Sequence, residues 1–449
     1  MDLKGLYTEH LRTLARDTEQ ALALCRDAGE PYDGIVFHAG KQMMYHADDH
    51  PVVFHSVPHF ARFAPVPGPD HLLLFRPGAA TRLVRVVPRD FWYETAAEPE
   101  HPYPEVLAVT QVATPEEAQK QLGDVSRCAY VGNDAATAAA LGMPPAAVEP
   151  RPLVAALDWN RACKTPYEVT CIRAAARIAA RGYAVVRQGA AQQMSERQLH
   201  AAYLEATGML ENDTPYTNII AWDDHAATLH YQTKRTTPPE PGASLLIDAG
   251  AVHHGYASDI TRTYGRDNLH PVFRRALDRM EVMQRQLVAA VGPGVSFVDL
   301  HAHAHRGVAA ILCDLGILKV DAAAAHERGL TRPFLPHGLG HHLGLQVHDV
   351  GGRQASPAGE HSAPPPEYPS LRTTRELAPG HVVTIEPGLY FIPMLLEPFR
   401  AGTDAGAFDW KLVDALVPSG GIRIEDDILV TPQGRDDLTR PFVPGHLDA

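Results

Sequence analysis

Cysteine is scarce in this chain of 449 residues: there are five, Cys25, Cys128, Cys163, Cys171 and Cys313, and no two are spaced C-x-x-C. An odd, scattered set excludes a disulfide scaffold and a cysteine-rich zinc site, and it suits a reducing cytoplasm. Long apolar runs are missing as well. None approaches the ~18–20 residues that a membrane span needs. The opening MDLKGLYTEHLRTLARD lacks the uninterrupted apolar core of a signal peptide. Positive charge is in deficit, 40 lysines and arginines against 53 acidic residues, for a net charge of −13. Phosphate backbones and anionic membranes repel such a chain, and no local basic patch offsets this. Neither a G-x-S-x-G elbow nor a P-loop occurs, and H-E-x-x-H is absent. Serine-hydrolase, nucleotide and helix-borne zincin chemistry are therefore unsupported. The expectation is a soluble cytoplasmic protein with no nucleic-acid or membrane partner.

What is present is an ordinary globular composition, 45% hydrophobic and 21% charged, with an unusual 25 histidines. The length exceeds one ordinary domain. Residues 1–29 start as an amphipathic helix, and the runs GIVF (34–37), HLLLF (71–75), RLVRVV (82–87) and CAYVG (128–132) read as strands. Helical stretches near 115–122 and 134–141 alternate with them, an α/β pattern. The prolines from Pro144 to Pro152 look like a domain edge. Thr165-Pro166-Tyr167-Glu168 then combines N-cap, N1 proline and N3 glutamate, opening a helix that runs to about Gly189. Ser195-Glu196-Arg197-Gln198 opens another, and two more are expected at 270–291 and 297–315. Strand pairs rather than β-α-β units lie among them, so the second half is α+β. The proline-rich insertion SAPPPEYPS (362–370) interrupts its last strands. The division is an α/β domain over 1–160 and an α+β domain over 161–449.

The chemistry concentrates in the second domain. SLLIDAGAVHHGYASDITRTY (244–264) reads as a hairpin. With its turn centred between His253 and His254, Asp248 falls opposite Asp259, and directly opposed side chains lie about 5 Å apart. Two bare carboxylates at that distance need a cation between them or a shared proton; the plainer alternative is that one of them caps a turn. PHGLGHHLGLQVHD (336–349) brings His337, His341, His342 and His348 into a glycine-rich, non-helical stretch. If it is extended, residues 337, 339 and 341 face one way. VVTIEPG (382–388) ends a strand on Glu386. In GIRIEDD (421–427), alternation puts Arg423, Glu425 and Asp427 on one face and Ile422, Ile424 and Asp426 on the other. Glu386 or Glu425 alone is an exposed strand glutamate; with Asp248, Asp259 and His341 they form a set. Four carboxylates and one imidazole suit two divalent cations, and oxygen-rich ligation favours Mn²⁺, with Co²⁺ or Zn²⁺ as alternatives. Such a metal pair can lower the pKa of a bridging water and polarise a carbonyl, so metal-assisted hydrolysis is expected.

DAGAVHHGYASDITRTY, HGLGHHLGLQVHD, TIEPGLY and GIRIED, in this order, resemble the pita-bread metallopeptidases, which include methionine aminopeptidase, aminopeptidase P and prolidase. The likeness covers roughly residues 160–440. TPYTNI (214–219), LRTTRELAPG (371–380) and the insertion before it are similar to the bacterial Xaa-Pro dipeptidases within that group. The resemblance implies a C-terminal pita-bread catalytic domain. Asp248 becomes a ligand of one metal, His341 and Glu386 of the other, and Asp259 and Glu425 of both. It also implies that Glu386 shuttles a proton and that His230 and His348 steady the substrate and the tetrahedral intermediate. Arg423 would hold a ligand or substrate oxygen, Arg372 the terminal carboxylate of a dipeptide ending in proline, and Tyr216 and His337 would line the pocket. A homodimer is implied too. The competing readings are an aminopeptidase P, a phosphotriesterase acting on organophosphorus esters, and a peptide-binding pseudoenzyme, the last disfavoured because all five ligand positions are filled.

Overall fold

The computed structural model describes residues 2–92, 94, 99–239 and 242–448. The chain divides into two compact units: one of Met1–Arg161, Thr165–Glu168 and Gln354–His361, the other of Ala162–Lys164, Val169–Arg353 and Ser362–Ala449.

In the first unit the opening helix is Leu3–Asp27, capped by the Asp2 side chain on the Gly5 amide. A five-stranded mixed sheet has the spatial order Ala108–Val112, Arg82–Val86, Leu72–Phe75, Ile35–His38 and Ala129–Val131. Four of these strands coincide with the apolar runs of the sequence. The edge strand Ala108–Val112 has no such signal, because only two of its five residues are even partly buried. The helix Arg151–Arg161 also belongs to this unit, so the prolines at 144–152 introduce its last helix and do not mark its edge. The capping box at Thr165 forms: the Thr165 amide donates to Glu168 at 2.8 Å, and the Glu168 amide to Thr165 Oγ1 at 3.4 Å. Glu168, wholly buried, also receives two 3.1 Å hydrogen bonds from the Arg62 guanidinium.

The second unit is α+β, as expected. The helices Pro166–Ala191 (after its first turn) and Glu196–Thr207 pack Ala179, Tyr183, Leu199 and Tyr203 onto Ile220, Leu245 and Ile247. Those three residues belong to an antiparallel sheet in the order Thr261–Gly265, Ser244–Asp248 and Ile219–Trp222. The helices Pro271–Ala290 and Phe297–Asp314 cover a second sheet of Val382–Ile385, Asp426–Thr431 and Gly434–Asp437 through Leu277, Met280, Phe297, Leu312, Ile385 and Ile428. An isolated bridge from Thr261 to Glu425, the residue before the strand Asp426–Thr431, links one sheet to the other. Among the described residues no helix is long and apolar enough to cross a membrane.

The hairpin register differs from the expected one. Asp248 pairs with Thr261, and His253 with Tyr256, so the turn is centred on His254 and Gly255. Both have positive φ, 50° and 86°, as a two-residue turn of the primed class demands, and glycine supplies this without strain. Asp259 therefore lies two residues before Asp248's partner, on the same face.

Replacing Glu168 with alanine takes the carboxylate partner from the buried Arg62 guanidinium and removes the reciprocal cap. The expected loss is about 3–5 kcal/mol of stability, read as a lower denaturation midpoint in urea; an unchanged midpoint would show that the pair contributes nothing net.

Candidate metal centre

The centre is assembled from four chain segments. The strand Ser244–Asp248 delivers Asp248 at its end, after which the chain bends through Ala249–Ala251. The Tyr183 hydroxyl holds this bend by contacts to the backbone of Ile247, Ala249 and Ile260, and the Tyr203 hydroxyl donates to the Gly250 carbonyl at 2.9 Å. Asp259 comes next, its amide donating to Asp427 at 3.2 Å. Across the bridge to Thr261, Glu425 accepts from the Thr261 hydroxyl at 2.7 Å. That hydroxyl in turn accepts from Arg423 Nε at 3.3 Å, so its proton is directed at the carboxylate.

His341 comes from the glycine-rich segment, which lies along Val382–Ile385. The Thr384 amide donates to the His341 carbonyl and the Glu386 amide to that of Leu339, at 2.9 and 2.8 Å. A side chain at position 340 would strike the Thr384 carbonyl, which is why glycine stands there. The expected alternation fails at one position: His337 and His341 face the carboxylates, whereas Leu339 is buried in the apolar core. The segment runs antiparallel to that strand, His342 bridging Val383 and the Leu343 amide donating to the Val382 carbonyl at 3.0 Å. His341 Nδ1 lies 3.0 Å from the His342 carbonyl, and since a carbonyl only accepts, Nδ1 carries the proton. Nε2 is the ring nitrogen turned to the carboxylates, 3.4 Å from Asp259 and 3.7 Å from Glu386, and is the one that could ligate a metal.

The alternation expected in GIRIEDD is observed. Arg423 reaches Asp248 at 2.7 Å and the Tyr390 hydroxyl at 2.8 Å, Glu425 and Asp427 face the same way, and Ile422 and Ile424 enter the core. Asp426 points to the opposite side, where Arg262 donates to it at 2.6 Å and Arg440 at 2.9 Å. Burial alone would raise Asp426, but these two guanidinium groups hold it down to about 2. The same Arg262 also donates to the Glu425 carbonyl at 2.6 Å, which clamps the strand from behind.

The carboxylates on the inner face titrate in the opposite direction. Burial, then the charges of Asp259, Glu386 and Asp248, pushes Glu425 well above the ordinary range. Burial raises Glu386 to about 7, with Asp259 and Asp248 adding to the effect and His341 opposing it. Asp248 is raised by burial even with Arg423 beside it, and its Oδ1 is buried without a hydrogen-bond partner. The ligating atoms of Asp259, His341 and Glu425 lie within 4.8 Å of one another. Clustered carboxylates with an unpaired oxygen and an imidazole nitrogen turned toward them suit divalent cations, which would lower the carboxylates again.

The remaining sequence candidates ring this cluster. His337 is 3.8 Å from Glu386 and 2.9 Å from the Tyr390 hydroxyl; burial, then Arg423, lowers it to about 3. His348 is exposed, its ring perpendicular to that of His341 with 4.4 Å between centroids. Desolvation, then the charges of His341 and Arg372, lowers it to about 4. His230 and Arg372 are likewise exposed, and His230 acts electrostatically on both His337 and His348. Tyr216 is half-buried with its hydroxyl enclosed near Asp248 and Asp259, and burial raises that hydroxyl well above the ordinary value. Sequence reasoning missed Tyr390, Thr261 and Tyr183. Thr261 could have been found from its even spacing to Asp259, whereas nothing in the sequence pairs Tyr390 with His337 and Arg423.

The sequence pattern of metallopeptidase family M24 matches residues 170–432. The chain belongs to that family. Residues 5–159 match the N-terminal domain of Xaa-Pro dipeptidases. Over 444 residues, 98% of each chain, the protein is 40% identical to an Xaa-Pro dipeptidase of Stenotrophomonas maltophilia, and over 442 residues, again 98% of each, 37% identical to one of Proteus mirabilis. Among solved structures, Escherichia coli aminopeptidase P in a low-pH form superposes with a TM-score of 0.72 at 23% identity, covering 97% of both chains. Pseudomonas aeruginosa aminopeptidase PepP gives 0.71 at 23%, covering 98% of this chain and 96% of that one. These two share the fold, the pita-bread catalytic domain behind an N-terminal domain. Membership of M24 makes the protein a metallopeptidase that uses divalent ions.

Without those ions the inner carboxylates repel one another, so folding and metal binding are linked. Chelator-treated protein should melt lower than protein with added divalent salt, the gap widening with ion concentration as linkage requires. Equal melting temperatures in calorimetry would refute this.

Proposed function

We propose that the protein is a metal-dependent dipeptidase that cleaves dipeptides with a C-terminal proline. The observation that carries this reading is the convergence of Asp248, Asp259, His341, Glu386 and Glu425 in a chain alike over its whole length to Xaa-Pro dipeptidases. Asp248 would hold one ion, His341 and Glu386 the other, and Asp259 and Glu425 would reach both. Mn²⁺ is the preferred ion, since oxygen donors outnumber the single nitrogen. When bound, the ions activate a water and polarise the scissile carbonyl.

The chain's own residues do the rest. Glu386, between His337 and His341, takes a proton from the attacking water and passes it to the proline nitrogen as the bond breaks. His348 and His230, both open to solvent, donate hydrogen bonds to the carbonyl oxygen as it gains negative charge. Arg423 keeps Asp248 oriented and opposes the rise that burial imposes on its carboxyl. Tyr216 and His337 bound the pocket. Arg372 receives the substrate carboxylate, which in a dipeptide lies within a few ångströms of the scissile bond. Aminopeptidase P activity and phosphotriester hydrolysis as the main reaction have no observation in their favour that this reading lacks. The five scattered cysteines fit a cytoplasmic setting.

His348→Ala and His230→Ala should retain metal yet lose turnover, each by ~10²-fold or more, the usual cost of one donor to a developing oxyanion. Elemental analysis beside kcat checks both, and parental turnover in either variant removes that histidine from the mechanism.

A hydrolysis panel of Ala-Pro, Ala-Pro-Ala and Ala-Ala with Mn²⁺ tests the substrate class, with Ala-Pro expected to be strongly preferred. Arg372→Ala should weaken Ala-Pro by about 2–5 kcal/mol in kcat/KM if the ion pair is shielded from water. Arg372→Lys should recover only part, because an ammonium lacks the forked donor pair. An undiminished preference in Arg372→Ala means that the carboxylate is held elsewhere.

A further inference from the structure

The segment SAPPPEYPS (362–370) has no helix and no strand of its own, yet one side chain ties it down. The Tyr368 ring stacks on His305, centroids 4.9 Å apart and planes at 17°, and meets His301 edge-on at 4.5 Å and 86°. Both histidines lie on the helix Phe297–Asp314 and are 2% exposed. Burial lowers them to about 4 and about 3, so both are neutral rings and stack without charge repulsion. A 2.9 Å hydrogen bond between His305 Nδ1 and Thr331 Oγ1 fixes the stacking plane.

From Tyr368 the path to the catalytic centre is short. The Leu371 amide donates to the Tyr368 carbonyl at 3.1 Å, closing a turn, and Leu371 is buried in the core. Arg353 donates twice to the Leu371 carbonyl, at 3.1 and 2.7 Å. Arg372 comes next. Its backbone nitrogen lies 3.4 Å from where a Cβ on Gly338 would stand, beside His337, and its charge reaches His348.

We propose that Tyr368 is a positioning residue for Arg372: its ring, held by His301 and His305, sets the course of residues 368–372 and with it the point at which the substrate's terminal carboxylate is met. The proposal rests on the assignment of Arg372 to that carboxylate. Three consecutive prolines stiffen the segment, so anchoring the Tyr368 ring orients the residues on its C-terminal side. Without the anchor, each binding event must order the segment, a cost that falls on affinity more than on the chemical step.

The test compares Ala-Pro with its C-terminal amide in the parent, Tyr368→Phe, Tyr368→Leu, Arg372→Ala and the Tyr368→Leu/Arg372→Ala double variant, with metal content measured in each. Tyr368→Phe keeps the ring and should match the parent. Tyr368→Leu should raise KM for Ala-Pro on the order of tenfold, leaving kcat, metal content and KM for the amide near parental values, and it should add nothing in the Arg372→Ala background. If Tyr368→Leu leaves every constant at the parental value, impairs acid and amide alike, or is additive with Arg372→Ala, the role of Tyr368 falls while that of Arg372 stands. A parental KM in Arg372→Ala overturns the carboxylate assignment and the proposal with it.

Discussion

Dehydrated negative charge is the constraint around which the second unit is organised. Asp248, Asp259 and Glu425 are buried with Glu386 half-buried beside them, and desolvation with mutual repulsion drives Asp248, Glu386 and Glu425 toward the protonated form. An enclosed set of carboxylates is costly unless cations or donors compensate. Here the compensation is of two kinds. Arg423 and the Thr261 hydroxyl supply fixed donors, and divalent ions, which the family uses, supply the remaining charge. The scaffold is held fast where these side chains leave it. Tyr183 and Tyr203 pin the bend after Asp248, and Gly340 lets the His341 segment touch its neighbouring strand.

The strand Asp426–Thr431 and the residues before it separate two electrostatic environments. Glu425 faces the carboxylate cluster and Asp426, the next residue, faces Arg262 and Arg440. One carboxylate is raised and its neighbour lowered because alternation places them in opposite fields. Arg262 couples the two sides, since it pairs with Asp426 and also holds the Glu425 carbonyl. The clamp behind the strand thus fixes the height at which Glu425 enters the site. Such buried pairs contribute more to geometry than to net stability.

Much of this was legible in the sequence. The capping patterns at Thr165 and Ser195 mark two helix starts because each satisfies backbone donors locally. The faces of GIRIEDD come from the period of two alone. The four histidines of PHGLGHHLGLQVHD and their glycines announced a site, and His337, His341 and His348 do face it, whereas His342 is buried against His381. The edge strand Ala108–Val112 was illegible, since hydrogen bonding to a neighbour and not apolar patterning makes it a strand.

Composition, caps, alternation and motif order, all of them local, were determined by the sequence itself. Which carboxylates meet was decided in three dimensions. The hairpin register turned on two positive φ angles at His254 and Gly255, and a turn placed one residue earlier would have put Asp259 directly opposite Asp248. The Thr261–Glu425 contact spans 164 positions, and the Tyr390 hydroxyl joins His337 to Arg423. Such meetings depend on how two sheets and their covering helices pack, and packing sums weak contacts over the whole core, so no local stretch of sequence encodes them.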